Sequence, residues 1–459
     1  MKHFIYIFAA ALAVAACTRE PAPSAPASEP VVFTAHAELN PGTKAILDLN
    51  GSSKPQTFWE DGDAINVFTS GDGDSQSGKG YQFTTSLGAN ATSATFSYAG
   101  GDFKSGSYYA IYPYTNKTRG VNFTGDDGTY RLAGTVIPNS QTLVAGSFDR
   151  TAGVAIAYSD GSTSLDFKNA TALIKFRVAD GDITGGWIEV DEADAITGTF
   201  MTQVNTSTRE LALNTYAQGA SYNVAEFTID GSTPLSAGTD YYVAVRPTTL
   251  TSELRVYLNG NLVKTINNSQ LAALQRNKVY NLGTLSSGTP AATKSLTFDF
   301  SVAPLAGWPT ADNWDTKAGN LDCTYNLSGT DYHFLLTDAA NATSARVAWD
   351  SSKGGLVWFN ASRYLGLPAL SGYRLREVSG VMCLSTKSTR KADVSRTVAA
   401  KSGDADNCVY GGSPMAWNTK GTTYTFRLKG TTADTRYYLA CSAVSIGVSS
   451  LTLVYEEVE

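Results

Sequence analysis

Charge is what this 459-residue sequence is short of. Only 17% of residues are Asp, Glu, Lys or Arg, against roughly 25% in an average soluble domain. The 35 Lys+Arg are outnumbered by 41 Asp+Glu, so no basic face is available to neutralise phosphates and nucleic acid is excluded as a partner. Histidine occurs three times, as His3, His36 and His333, which excludes a His-rich zinc site. The five cysteines form no C-x-x-C pair, so a metal knuckle is excluded too. Helical periodicity is nearly missing. The best stretch is Asn268-Ser269-Gln270-Leu271-Ala272-Ala273-Leu274-Gln275, which predicts two helical turns capped by Ser269. What is abundant is glycine (42) and tyrosine (24), with aromatics at 11%. That composition suits half-buried strands, and the length allows about two to four domains.

The N-terminus has a short basic start, Met1-Lys2-His3, then an apolar run over residues 4–14. Its length is that of a secretory signal and too short to cross a bilayer. It ends in Val14-Ala15-Ala16-Cys17. Small residues ahead of a cysteine suit a lipoprotein signal peptidase, so residues 1–16 are read as a lipoprotein signal peptide and Cys17 as the lipidated residue. Several acyl chains, each contributing about 0.8 kcal/mol per buried CH₂, hold a chain firmly on a membrane. Residues 17–30 follow as a proline-rich tether, unable to pack a core. An exported chain permits disulfides. Cys323, Cys383, Cys408 and Cys441 allow three pairings, or stay as buried thiols.

Elsewhere short apolar or alternating runs lie between Gly, Asn, Asp and Pro. Examples are Ala64-Ile65-Asn66-Val67-Phe68, Tyr108-Tyr109-Ala110-Ile111-Tyr112 and Leu173-Ile174-Lys175-Phe176-Arg177-Val178. Many short strands with turn signals between them predict an all-β chain of sandwiches. The expected division is 31–160, 161–286, a linker at 287–293, and 294–459.

Over about residues 31–286 an ordered series of motifs appears. Thr43-Lys44-Ala45 precedes Phe58-Trp59-Glu60-Asp61-Gly62-Asp63-Ala64-Ile65-Asn66-Val67. Then come Tyr108-Tyr109-Ala110-Ile111-Tyr112-Pro113, Ile137-Pro138-Asn139-Ser140-Gln141, Leu165-Asp166-Phe167-Lys168-Asn169-Ala170, Tyr242-Val243-Ala244-Val245-Arg246-Pro247 and Lys278-Val279-Tyr280-Asn281-Leu282. In this order they resemble the fimbrillin family of Bacteroidales, the type V pilins and their accessory or tip subunits. The resemblance implies two tandem transthyretin-like β-sandwiches, with Trp59 and Ile65 in the core and Gly62-Asp63 in a turn. It also implies assembly: a protease removes the first strand, here residues 31–39, and the groove accepts a strand from another pilus subunit. In the family the cut follows an arginine. Here Arg19 is the only arginine before Arg119, and Lys44 is the only basic residue of the loop 40–44. Either this strand is kept, or a protease of different specificity uses the loop at Lys44.

Residues 294–459 depart from that pattern. Leu296-Thr297-Phe298-Asp299-Phe300 opens this region and Ser450-Leu451-Thr452-Leu453-Val454-Tyr455 closes it. Strands at both ends predict a jelly-roll-like β-sandwich whose ends pair. Trp308 and Trp314 sit among turn formers, Gly307-Trp308-Pro309 and Asn313-Trp314-Asp315. Exposed indoles there would stack on a glycan or grip a protein ligand. In the resemblance the donor strand comes from the end of the second domain, near residues 279–285. Here that end runs on into the third region, so the chain is expected to accept a strand without donating one, at a pilus tip on the outer membrane surface.

Catalytic chemistry finds no footing. Gly73-Asp74-Ser75-Gln76-Ser77-Gly78-Lys79-Gly80 satisfies G-x-x-x-x-G-K but lacks the following Ser or Thr, and a strand follows where a helix is needed. No G-x-S-x-G occurs. His333 reads as a strand residue. No catalytic residue, metal or cofactor is assigned. Replacing Cys17 by Ser should abolish acyl labelling and release the protein from membranes; a labelled, membrane-bound variant would refute the anchor.

Overall fold

Apolar runs buried on both faces build the front of the molecule. The computed structural model describes residues 30–38, 58–72, 80–100, 102–122, 128–191, 194–216, 219–229, 233–288, 291–302, 306–313, 320–338, 347–359, 363–399, 404, 407–441 and 446–458. Among them every element longer than three residues is a strand, and the chain is all-β as expected. The first sheet runs, in spatial order, Ser164–Asp166, Val31–His36, Ser93–Tyr98, Tyr81–Thr84, Ala64–Thr69, Tyr108–Tyr112, Ala155–Ser159 and Lys168–Asn169. Its two outermost strands are consecutive pieces of chain separated by Phe167 alone, so the sheet curls until its ends meet. One face packs Phe33, Trp59, Ile65, Val67, Phe83 and Phe96. The other packs Phe68, Tyr109, Ile111 and Ile156 against Tyr130, Leu132 and Phe200. Burial on both sides explains why these strands read as unbroken apolar runs.

The sheets do not divide at residue 160. Ser164–Asp166 and Lys168–Asn169 complete the first sheet. Conversely, Thr129–Ile137 pairs antiparallel with Thr197–Asn205, and Ser140–Leu143 pairs parallel with Val224–Ile229. The middle of the chain forms a sandwich. A three-stranded sheet of Tyr241–Val245, Ala172–Val178 and Val279–Leu285 faces one made by Asn261–Ile266, Leu254–Leu258, Gly185–Glu189, Val224–Ile229 and Ser140–Leu143. Ile174, Phe176, Ile188, Phe227 and Val256 fill the space between.

The helix expected over 268–275 is absent. A turn leads into Ala273–Leu274, which pairs with Thr248–Thr249. Leu271 and Leu274, both within the stretch read as helical, are buried in the middle core; tertiary packing overrides the local preference. From residue 293 onward, two six-stranded sheets enclose a separate core. Thr293–Asp299 lies antiparallel to Ile446–Glu457, in register from Thr293 opposite Glu456 to Asp299 opposite Ser450, so the ends of this region pair as expected. Cys323, Cys383, Cys408 and Cys441 are buried and not joined in disulfides. Burial pushes Cys383 up to about 11 and Cys408 up to about 12, leaving both protonated and unreactive at neutral pH.

Outer faces of the middle and last regions meet through charge. Glu189 is fully buried. Its carboxylate accepts from Arg255 Nε at 2.9 Å, Arg376 Nη2 at 2.9 Å, Trp187 Nε1 at 2.9 Å and the Gly430 amide at 2.8 Å. Arg374 lies 3.5 Å away. Glu456 accepts from Tyr257 Oη at 2.9 Å and from Arg376 Nε, and Glu226 accepts from Tyr410 Oη at 2.6 Å and pairs with Lys429. Strand alternation supplies the geometry: Arg374 and Arg376 point one way and Leu375 into the core.

Burial alone would raise the Glu189 carboxyl, but the charges of Arg376 and Arg255 overcome it and hold the group well below its ordinary value of 4.5. A depressed carboxyl stabilises the fold above its unfolded value and loses that contribution as pH falls towards the folded one. Glu189→Gln should therefore cost about 3–5 kcal/mol at pH 7, because it strands buried arginines. The gap between variant and parent should narrow as pH falls below about 4.5. Denaturant unfolding followed from pH 7 to pH 3 checks both; a constant gap would refute the assignment.

Candidate functional site: the seat of the first strand

Val31–His36 alternates between inward and outward residues. Phe33 and Ala35 are fully buried, and Val32 is 41% exposed. The strand lies antiparallel to Ser93–Tyr98 and parallel to Ser164–Asp166, so it closes the seam of the curled sheet. The Phe33 ring meets Phe83, Phe103 and Tyr108 edge-on at 5.1, 5.8 and 4.9 Å. Such contacts add to a burial worth about 1.5–3 kcal/mol for a phenylalanine. Ala35 sits opposite Ala94 on one side and Leu165 on the other. Its carbonyl accepts from Trp59 Nε1 at 3.1 Å.

Trp59 is itself boxed by Phe96, Tyr112 and Phe167, all edge-on within 5.4 Å. The turn carrying it is tied down by Asp63, which accepts from the Glu60 amide at 2.8 Å and Tyr112 Oη at 3.0 Å and pairs with Arg150. Gly62 adopts φ +76° there, a backbone state open to glycine at little cost. Burial, and then the Asp63 charge, push the Tyr112 phenol up to about 12, so it stays a donor. The sequence expectation for Trp59, Ile65 and the Gly62-Asp63 turn agrees with this arrangement.

At the far end of the strand, Glu38 accepts from the Asn169 amide at 2.6 Å. Arg276 Nη1 lies 3.2 Å from both of its carboxylate oxygens and donates to the Asn169 carbonyl at 3.0 Å. The strand is thus held by ladder bonds along its length, a ring box near its start and an ion pair at its end. A narrow cleft adjoins that end and is lined by Ala37, Phe58, Trp59, Tyr112 and Phe148.

Of the residues singled out in the sequence, Cys17, Lys44 and Trp314 lie outside the described residues. Trp308 is a correction. It is 3% exposed and donates to the Thr324 carbonyl at 2.9 Å. It packs near Phe300 and Phe334, so it offers no face to a ligand. Its turn-forming neighbours suggested a loop, but the indole turns inward to close one end of the last core. Trp358 and Trp417 are also fully buried. Among the described residues no cluster of three metal-ligating side chains occurs. Glu38 and Arg276 went unnoticed in the sequence, because 238 residues separate them and no local pattern links them.

Phe33→Ala should destabilise the front of the molecule by about 3–5 kcal/mol, and Trp59→Phe by about 1 kcal/mol through the lost hydrogen bond. Urea unfolding followed by circular dichroism measures both; a Phe33→Ala loss below 1 kcal/mol would show that the strand is not part of the core.

No family model and no curated protein matches the chain. Among solved structures, similarity is found to a candidate cell adhesion protein from Bacteroides uniformis, at 17% identity and TM-score 0.32, covering 57% of this chain and 94% of that one. A fimbrial protein from Bacteroides ovatus aligns at 13% identity and TM-score 0.26, over 72% of this chain and 56% of that one. A fimbrial assembly protein from Parabacteroides distasonis aligns at 10% identity and TM-score 0.22, over 55% of this chain and 90% of that one.

Proposed function

We propose that this chain is a fimbrillin-like surface adhesion subunit that accepts a strand at the seat of Val31–His36 and donates none. The observation that carries the reading is the contrast between the strand that could leave and the strands that could be given. Val31–His36 is an alternating strand whose neighbours among the described residues are Ser93–Tyr98 and Ser164–Asp166, and its departure would open a groove between them. Val279–Leu285 is paired with Ala172–Val178 and buries Tyr280, Leu282 and Leu285. The chain after it is pinned where the Ser287 amide meets Asp180 at 2.6 Å. Ile446–Glu457 lies between Tyr373–Met382 on one side and Gly355–Trp358 and Thr293–Asp299 on the other. Both bury core residues, as Val31–His36 does; the difference is that the chain after Val279–Leu285 continues into the last region, whereas Val31–His36 is followed by the segment that carries Lys44.

In this reading Cys17 carries the lipid that delivers the precursor to the outer surface, and the loop containing Lys44 is where the first strand is released. The partners are other pilus subunits, reached by β-strand exchange. The last region is the outward end, held rigidly by the Glu189 cluster rather than swinging on a linker. A subunit that accepts and does not donate terminates a fibre. Immunogold labelling of sheared fibres should therefore mark their tips. Label along the shaft would overturn the terminal role, and label confined to cell bodies would instead favour a lone surface lipoprotein, the form in which a glycan-binding role would stand.

A further inference from the structure

We infer that the seat of the first strand selects its occupant by a size-and-charge order: bulky apolar, any, small, any, small, acid. The inference rests on the strand-exchange reading above and specifies the partner it requires. The first position is set by the box of Phe83, Phe103 and Tyr108 around Phe33; a small side chain there would leave a cavity. The third position is set by Ala35, which is fully buried, sits opposite Ala94 and Leu165 in the ladder, and shares one core with Trp59, whose indole donates to its carbonyl. That indole cannot yield, because three rings enclose it. A larger residue would overpack the site. Ala37, 9% exposed, continues the same narrow face into the cleft beside Trp59.

The acid comes last. Glu38 occupies the point where the Asn169 amide and the Arg276 guanidinium converge. Among the described residues Arg276 is ion-paired with no other carboxylate. The adjoining cleft, lined by Lys168, Arg209 and Arg276 with Glu210 as its one acid, also favours a negative group. An occupant without the acid would leave a half-buried guanidinium and an amide without this partner, and such a loss weakens binding more than a lost contact at the rim. Because the acid must arrive last, the incoming strand runs in the same direction as Val31–His36, parallel to Ser164–Asp166.

With Gly, Ala or Ser as the small residues and Val, Leu, Ile, Met, Phe, Tyr or Trp as the bulky one, this order occurs once in the 459-residue sequence, at residues 33–38. A second copy of the chain thus offers no fitting strand except its own first one. With that first strand removed from every copy, as the proposed function requires, the occupant is a strand of a different subunit.

The test uses the full chain with a specific protease site placed between residues 39 and 57, nicked so that the first strand can exchange. Fluorescent peptides copying residues 30–39 are then offered. The native peptide should enter. Its Glu38→Gln form should bind about tenfold more weakly, and its Ala35→Leu and Phe33→Ala forms should compete poorly. An Arg276→Glu chain should reverse the preference and take a Glu38→Lys peptide over the native one; if that variant misfolds, the peptide series on the unaltered chain still decides. Equal binding of the native and Glu38→Gln peptides would overturn the charge selection while leaving strand exchange standing. Failure of the native peptide to enter would overturn the exchange reading, and this inference with it.

Discussion

A single buried carboxylate organises the back two thirds of this molecule. Glu189 leaves the outer face of one sheet and is met by arginines from its own sheet and from the next region, by an indole and by a backbone amide. Each charge would be costly to bury alone. Together they satisfy one another, and removing any one strands the rest. The contact is therefore close to all-or-none. Hinging the last region away would require breaking these buried charge contacts together.

The front of the molecule is built on the opposite principle. Its sheet closes through one strand whose hold is spread over ladder hydrogen bonds, one ring box and one ion pair. Each of these can be made again by a different strand of the right kind. Phe33 and Ala35 of that strand share one core with Phe83, Phe96 and Tyr108, so the proposed exchange requires an incoming strand to refill it. In the proposed reading, a strand closed by remakeable contacts at one end and a buried charge cluster at the other would give the chain a direction, with assembly at the front and display at the back.

The two devices also differ in solvent exposure. Glu189 is fully buried, whereas the Glu38 and Arg276 side chains are 15% and 35% exposed. The first pair has little contact with water, so its strength depends little on salt. The second is partly screened, which weakens it as glue but leaves it accessible to an arriving partner.

Much of this was determined locally. Runs such as Tyr108–Tyr112 and Tyr241–Val245 announced strands because both of their faces are buried, and Trp59 and Ile65 announced a core. The pairing of residues 296–300 with 450–455 followed from apolar strands at both ends of one region. What the tertiary structure decided was everything that depends on partners distant in sequence. Trp308 looked exposed because glycine and proline flank it, yet the core of the last region had room for an indole. Leu271 and Leu274 looked helical, but the middle core and the Thr248–Thr249 strand claimed them. Residues 129–143 joined sheets from the far side of residue 170, since pairing across so many residues leaves no local trace. Glu189, Arg255, Arg374 and Arg376 each sit in ordinary alternating strands. Only when two sheets meet do their outward charges become a buried cluster, because burial belongs to the contact and not to any one strand.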